Sequence, residues 1–223
     1  MQKFDTTTPV TAVLDLPAGR IQVIAADRTD TTVQVLPVDP GKSRDVRAAE
    51  QIAVAYDDGV LRVTAPAPAN RILGNSGSVE VTVQVPSGSH VEATTAAAGF
   101  RAVGRLGDVA FKGAHGPVKI DEAAGIELTA ADSDITVGRL TGPARITTQK
   151  GDIRVTEAVR GAVELTTQMG SISVATARGT SATLDAGTGY GRIDNTLRNS
   201  DGPAADLHIR ATTTHGDITA RSL

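Results

Sequence analysis

Acidic residues recur at one turn position in the second half of the chain and are its most suggestive candidates for chemistry. They are Asp134, Asp152 and Asp217, with Asp132 nearby. Stacked carboxylates could bind Ca²⁺ or act as the paired acids of a glycan-cleaving enzyme. Ser171 and Arg192 interrupt the series, and the Gly-Gly-x-Gly-x-Asp runs of calcium-binding rolls are missing from the sequence. We interpret these acids as turn residues that accept backbone hydrogen bonds, and we predict no metal site.

The four histidines are the next candidates for a metal site. They are His90, His115, His208 and His215. His115 and His215 occupy equivalent turn positions five repeats apart, which at about 4.8 Å per stacked strand is roughly 24 Å. A zinc site needs three or four ligands that converge on a single ion. The pattern therefore predicts exposed turn histidines.

Threonine occupies one strand position in several repeats. The members of this column are Thr94, Thr129, Thr147, Thr166 and Thr212. Threonine favours strands and bonds to like neighbours across a sheet, so a structural role is the first interpretation. The same row could present hydroxyls to a flat ligand such as a glycan. Thr129, Thr147 and Thr166 are therefore the candidate ligand surface.

No catalytic or cofactor motif is present in the sequence. The stretch GTGYGR at residues 187–192 has misplaced glycines for a dinucleotide loop, and no helix is predicted after it. Tyr190 lies there with Asp185, Arg192 and Asp194 in the densest polar group of the sequence. We interpret this group as a surface corner, and we predict no catalytic residue and no cofactor.

All these residues are placed by a short repeat that begins near His90. One apolar residue per repeat sets the register. These register residues are Phe100, Val118, Ile135, Ile153, Ile172, Ile193 and Ile218, spaced by 18, 17, 18, 19, 21 and 25 residues. Further apolar residues recur nine and seven positions before most register residues and two after, which is the alternation of short strands. Each repeat therefore contains two inward-facing strands.

Turn residues separate the strands of each repeat. Glycine or serine stands two positions before each register residue, as at Gly151 and Gly216, and a second glycine closes most repeats. Two strands and two corners per repeat predict an all-β fold, a parallel β-solenoid of about seven short coils over residues 90–223. The apolar spacing near nine, in place of six, favours a right-handed coil.

Residues 1–89 are predicted to form a β-rich cap continuous with the solenoid. VTAVLDL, GRIQVIAAD and TTVQVLPVD alternate as strands, and Asp45 is expected to cap a short helix, DVRAAEQ. QIAVAYDDGVLRVTAP predicts a hairpin that turns at residues 57–59. PAPANRILGNSGS is expected to be a loop, and VEVTVQVP the following strand.

Composition limits the possible partners and locations. The net charge is −3, basic residues do not cluster, and cysteine is absent, so neither nucleic acid binding nor thiolate chemistry is expected. No apolar run reaches the roughly 18 residues of a membrane span. No signal-peptide core is found either. The sequence as written predicts a cytoplasmic protein, or an extracytoplasmic one if a leader was removed.

Three stretches resemble a known family. They are the TTQKGDIRV turn at residues 147–155 with its echo at 212–218, the opening FDTTTPVTAVLDLPAGRIQVIAADRTD, and AAEQ…AYDDGVLRVTAP. Together they are similar to the bacterial domain-of-unknown-function family labelled putative adhesins, over essentially the whole chain. The resemblance implies a β-helical fold and carries no catalytic motif.

Two functions are consistent with these patterns. The favoured one is a non-catalytic scaffold or binding module for a protein or a glycan. The alternative is a carbohydrate-active β-helical enzyme, although coils as short as these leave almost no loop to wall a groove. The last coil stops five residues after Ile218 without a cap. We therefore expect that end to be shielded by the 195–206 loop or used in self-association or partner binding.

Overall fold

The computed structural model describes residues 1–66 and 77–223. The loop expected at residues 66–78 lies, from 67 to 76, outside the described residues. Elsewhere the chain is mostly strand. The strands are β1 (Gln2–Asp5), β2 (Thr11–Ala26), β3 (Asp30–Pro37), β4 (Ala53–Asp57), β5 (Val60–Thr64), β6 (Val79–Pro86), β7 (His90–His115), β8 (Val118–Asp132), β9 (Ile135–Leu140), β10 (Ala144–Lys150), β11 (Ile153–Ala158), β12 (Gly161–Met169), β13 (Ile172–Thr176), β14 (Ala182–Tyr190), β15 (Ile193–Thr196), β16 (Leu207–His215) and β17 (Ile218–Ser222). A helix, α1 (Ser43–Gln51), and a 3-10 turn (Gly202–Ala204) complete the described elements.

The strands stack into two ladders, because each coil supplies one strand segment to each side. Ladder A runs in the order β4, β5, β2, β7, β8, β10, β12, β16 and β14. Ladder B runs β1, β3, β6, β2, β7, β8, β9, β11, β13, β17 and β15. Pairing is parallel except at the N-terminal end, where β1, β3, β6 and the β4–β5 hairpin pair antiparallel.

The register residues form one inward column of ladder B. Phe100 pairs with Val118 and Val118 with Ile135, and the series continues through Ile153 and Ile172. The apolar residues that alternate around them are buried and fill the interior between the ladders. The corner before Ile153 is made by Gly151 at φ 126°, a conformation that favours glycine. The predicted parallel β-solenoid is confirmed.

The order of the last three coils differs from the expectation. Strand β16 lies between β12 and β14, and β17 lies between β13 and β15. The column of register residues therefore ends Ile172, Ile218, Ile193. The prediction that the C-terminal coil is the uncapped end of the solenoid was wrong. That end is formed by the coil at residues 182–196.

The sequence disfavours stacking in chain order at this point. Chain order would place Asp185 directly beside Glu164, and like charges opposite each other destabilise a sheet. It would also place Asn195 in an inward column between Val174 and Ala220. The observed order puts Arg210 between the two acids and leaves Asn195 exposed on the last coil.

The N-terminal region joins the same stack. Strand β2 pairs with β7 along residues 11–24, so the two strands expected at VTAVLDL and GRIQVIAAD are one continuous strand. The β4–β5 hairpin is confirmed, and its turn has Asp58 and Gly59 at φ 47° and 77°. Positive φ at both central residues is the type I′ geometry that matches strand twist.

Helix α1 is confirmed, but its predicted cap is wrong. The helix begins at Ser43 after Lys42, which makes no side-chain capping bond. Asp45 lies in the first turn and is buried, and its Oδ1 accepts a hydrogen bond from the Ser78 N–H at 3.0 Å. Its carboxylate therefore ties the helix to the segment before β6 and satisfies a backbone donor.

Candidate functional site

The predicted threonines form a continuous row on the outer face of ladder A. Thr147 pairs with Thr129 on one side and Thr166 on the other, and the inserted coil adds Thr212 beside Thr166. We call these four residues the threonine stripe. Thr129 and Thr212 are exposed, while Thr147 and Thr166 are half-buried. Thr94 pairs with Asp15 and lies outside the stripe.

A second row of threonines, which the sequence analysis missed, faces inward beside the stripe. Its members are Thr148, Thr167, Thr213 and Thr188. Thr167 Oγ1 donates to the Gly151 carbonyl at 3.1 Å, and Thr213 Oγ1 donates to the Gly170 carbonyl at 2.9 Å. The two threonines of each Thr-Thr pair therefore have different roles. The first hydroxyl faces solvent, and the second holds the corner of a neighbouring coil.

The acidic turn residues bond to backbone between coils. Asp134 Oδ1 accepts from the Asp152 N–H at 3.0 Å, and Asp152 Oδ1 accepts from the Ser171 N–H at 2.7 Å. Asp217 Oδ1 accepts from the Arg192 N–H at 2.8 Å. Ser171 also takes part, because its Oγ accepts from the Asp217 N–H at 3.3 Å. The run of carboxylates is interrupted at Ser171, but the run of backbone hydrogen bonds continues through its hydroxyl and ends at Arg192 on the last coil.

His115 and His215 lie in one column of the stack, several coils apart. His115 and His215 are joined through Asp132, Lys150 and Met169, which is four ladder steps, or about 19 Å at 4.8 Å per step. The predicted five-step separation was too long because the C-terminal coil is inserted. No three histidine, acid or cysteine side chains gather to hold a metal within residues 1–66 and 77–223.

The other two histidines make local contacts. His90 Nδ1 accepts from the Asp108 N–H at 3.0 Å, and His208 Nδ1 lies 2.8 Å from Thr183 Oγ1. His208 and Thr183 are register partners on β16 and β14. This contact is therefore one that the sheet pairing itself imposes.

The polar group around Tyr190 is divided between two faces. Asp185 lies on ladder A and Asp194 on ladder B, with Tyr190 and Arg192 at the corner between them. Tyr190 is 73% exposed, and its ring stacks on that of His215 with centroids 4.9 Å apart. Met169 adjoins His215 on the next coil and is also exposed. Tyr190 and Arg192 therefore lie at an exposed corner, where Tyr190, His215 and Met169 form a short row near one end of the threonine stripe.

Charged residues of alternating sign run parallel to the threonine stripe, two positions before it. This charge column is Glu127, Arg145, Glu164, Arg210 and Asp185. Arg145 contacts Glu164 at 3.0 Å, and Arg210 contacts Asp185 at 3.0 Å. A shallow depression of about 360 Å³ includes Glu164, Arg210 and Asp185. The two acids flank an arginine on an open face, where water is not excluded.

Shifted carboxyl pKa values occur at the N-terminal end of the molecule. Hydrogen bonds from Arg28 and Lys3 lower the pKa of Asp30 to about 2. Hydrogen bonds from the Lys42 side chain and from the Gly41 N–H lower the pKa of Asp39. Both carboxyls belong to surface ion pairs. These shifts therefore mark structural pairs and not acid–base chemistry.

Solved structures that are similar to this chain are known. A putative adhesin from Bacteroides fragilis NCTC 9343 is similar in structure, with a TM-score of 0.56, 16% identity, and coverage of 100% of this chain and 95% of that one. A putative adhesin from Parabacteroides merdae ATCC 43184 has a TM-score of 0.45, 11% identity, and coverage of 100% and 93%. At 16% identity, the similarity to the Bacteroides fragilis protein shows the fold alone. No curated protein matches the chain.

Among the described residues there is no helix of sufficient length and apolar character to span a membrane. The family described as Toastrack DUF4097 matches residues 13–222, which confirms the predicted resemblance. The chain belongs to the Toastrack DUF4097 family.

Proposed function

We propose that this chain is a non-catalytic binding module and that the threonine stripe is its ligand-binding surface. The observation that supports this proposal is the continuity of the stripe. Its members, Thr129, Thr147, Thr166 and Thr212, are direct ladder neighbours. The similar Bacteroides fragilis protein carries the name putative adhesin, which agrees with a binding role. An adhesive role would place this face outside the cytoplasm.

The stripe has the geometry of a preorganised polar surface. Each hydroxyl both donates and accepts a hydrogen bond, and neighbouring hydroxyls are spaced by the strand separation of about 4.8 Å. Threonine is stiff at χ1, so little side-chain entropy is lost when a ligand binds. A ligand that presents its own hydroxyls along an extended chain, such as a glycan, would match this repeat.

The residues that flank the stripe favour an uncharged ligand. The charge column on one side is already paired within itself, as in the contact between Arg145 and Glu164. On the other side, two positions after the stripe, Gln149, Gln168 and Thr214 are exposed. Their amides and hydroxyl add neutral donors and acceptors. A neutral glycan therefore suits the surface better than an anionic polymer.

The features that would support the alternative enzyme are weak. Glu164 and Asp185 are the two acids nearest each other across the depression, but Arg210 lies between them. The Asp185 side chain is 72% exposed. Acid–base catalysis on glycans relies on two free carboxyls across a bound sugar, usually in a cleft. A binding surface is the better account of this face.

A glycan array tests the proposal. The wild-type protein should bind a subset of neutral glycans, and the triple variant Thr129→Val, Thr147→Val, Thr166→Val should lose that binding. Valine keeps the branched shape and removes the hydroxyl. Three lost hydrogen bonds of about 1 kcal/mol each would weaken binding roughly 100-fold.

The matched control is a triple variant on the opposite face. Thr136→Val, Thr156→Val and Thr219→Val change outward threonines of ladder B, and this variant should bind like the wild type. Absence of any bound glycan, or equal loss in both variants, would contradict the proposal.

A further inference from the structure

The last segment of the chain is an interior part of the stack. We call residues 207–222 the inserted coil and residues 182–196 the end coil. The inserted coil pairs through β16 and β17 with β12 and β13 on one side, and with the end coil on the other. The end coil has its ladder partners in the inserted coil. The rest of the molecule therefore holds the end coil through the inserted coil.

This arrangement requires an open slot during folding. Residues 1–206 leave the ribosome before the inserted coil is complete, since synthesis runs from the N-terminus. Until that coil is in place, the outer edges of β12 and β13 have no strand beside them, and β14 and β15 lack their partners. Unpaired strand edges are templates for pairing with another chain.

The slot is selective for the residues of the inserted coil. On the outward side of the slot, Arg210 lies between Glu164 and Asp185. On the inward side, Ile218 lies between Ile172 and Ile193. At the corner, Asp217 Oδ1 accepts a hydrogen bond from the Arg192 N–H of the end coil at 2.8 Å. A segment that fills the slot therefore needs arginine, a turn aspartate and isoleucine in this order. Residues 207–222 of any copy of the chain satisfy that need.

The connection to the inserted coil is long enough to reach another molecule. It comprises residues 197–206, is mostly exposed, and contains no strand, only the 3-10 turn Gly202–Ala204. Ten extended residues span at most about 35 Å. Exchange of an element between identical chains needs a hinge that can open, and residues 197–206 are the connection that would open here.

We propose that the inserted coil is exchanged between two copies of this chain. Residues 207–222 of each copy fill the slot of the other, and every ladder pair that the inserted coil makes in the single chain is made between copies. Exchange happens during folding at high concentration, when the slot of one chain meets the inserted coil of another. The resulting dimer has the same stack of coils and the same outer faces as the monomer.

Disulfide trapping tests the proposal cleanly, because the chain contains no cysteine. Thr166→Cys and Thr212→Cys are made in separate full-length chains, mixed unfolded, refolded at high concentration and oxidised. Residues 166 and 212 are register partners on neighbouring parallel strands, which suits disulfide geometry. Exchange joins the two chains, and mass spectrometry should find the 166–212 bond in a species of twice the monomer mass.

The matched control uses the same column within the body of the stack. Thr129→Cys and Thr147→Cys are also register partners, but neither belongs to the inserted coil. Their mixture should stay at the monomer mass, apart from collisional dimers that do not depend on refolding. Equal yields of crosslinked dimer from the two mixtures would overturn the proposal.

A measurement on the wild-type chain guards against variants that fail to fold. The protein is refolded at low and at high concentration and then diluted equally. Light scattering after size-exclusion chromatography should show a dimer that persists on dilution only in the second sample. A monomer in both samples, with an intrachain bond alone in the Thr166→Cys/Thr212→Cys double variant, would also overturn the proposal. Neither test depends on a ligand of the threonine stripe.

Discussion

The two ends of the stack are closed in different ways. At the N-terminal end, β3 and β4 run antiparallel to the strands beside them. Phe4 and Tyr56 meet there with ring centroids 5.3 Å apart. At the other end, the parallel coil β14–β15 simply stops. Ile193 is 46% exposed there, whereas its column neighbour Ile218 is fully buried. One end is covered by added strands. At the other, within residues 1–66 and 77–223, the 3-10 turn Gly202–Ala204 lies against β14 and no strand covers the coil.

This difference shows which side chains distinguish a terminal coil from an interior one. An inward position that holds valine, alanine or isoleucine elsewhere holds Asn195 in the end coil. In the same coil, Gly187 replaces the threonine of its neighbour, and Arg192 replaces the acid or serine of the inner turns. Polar residues at inward positions are costly in the middle of a stack and tolerable at its end. The position of a coil in space is therefore encoded in its side chains and not in its place along the chain.

The largest effect should come from burying a charge in the inserted coil. Ile218→Asp puts an unpaired carboxylate in the core and should cost about 3 to 5 kcal/mol or unfold the protein. Ile193→Asp, in the same column on the end coil, should cost less than about 1 kcal/mol. Urea denaturation of both variants checks the difference. Equal losses would remove the distinction between an interior and a terminal coil.

A smaller effect should separate the aromatic residues of the two ends. Phe4→Ala removes a half-buried ring that packs on Tyr56 and should cost about 1 to 3 kcal/mol. Tyr190→Ala removes a ring that is mostly in water and should cost about 0.5 kcal/mol or less. Thermal unfolding followed by circular dichroism measures both. A larger loss from Tyr190→Ala would mean that the far end is closed more firmly than its exposure indicates.

Charge reversal on the inserted coil should have a modest, salt-dependent effect. Arg210→Glu places three acids side by side in the charge column and should cost about 1 kcal/mol at low salt, less when salt screens the repulsion. Arg154→Glu on ladder B is the control, since its register neighbours Thr136 and Ser173 are neutral. Denaturation at low and high salt should show salt dependence in the first variant only.

The smallest effect should be a pH dependence at the N-terminal end. Arg28 and Lys3 lower the pKa of Asp30 from 3.8 to about 2. A depressed pKa means that the folded state favours the carboxylate, so its contribution is present above pH 4 and is lost as the pH falls towards 2. Asp30→Asn should remove this part of the stability profile. An identical acid profile in the variant would show that the ion pairs do not stabilise this end.

The repeat made most of the fold predictable from sequence. Apolar alternation and corner glycines are local signals, and they located the register residues that stack in the structure. The continuity of β2 was missed because Pro17 and Gly19 indicate a turn. In a solenoid such residues lie at a corner through which the strand pairing continues.

The order of the last coils could have been recognised from two residues. The prediction assumed that consecutive coils stack consecutively, which is the common rule for neighbouring elements. Asp185 after Glu164 and Asn195 after Val174 both break the pattern of the earlier coils, and together they indicate an end coil. Only the outward-facing threonines of the candidate site were predictable from the sequence. The inward threonines and the row of Met169, His215 and Tyr190 depend on how neighbouring coils align.

Amide hydrogen exchange on the wild-type protein tests the central claim most directly. If the C-terminal segment is an interior coil, amides at residues 209–213 and 218–220 should exchange as slowly as those of β12 and β13. Amides at residues 193–196 on the end coil should exchange much faster, because local opening there breaks fewer contacts. Fast exchange at 209–220 together with slow exchange at 193–196 would show that the coils stack in chain order and would contradict this account.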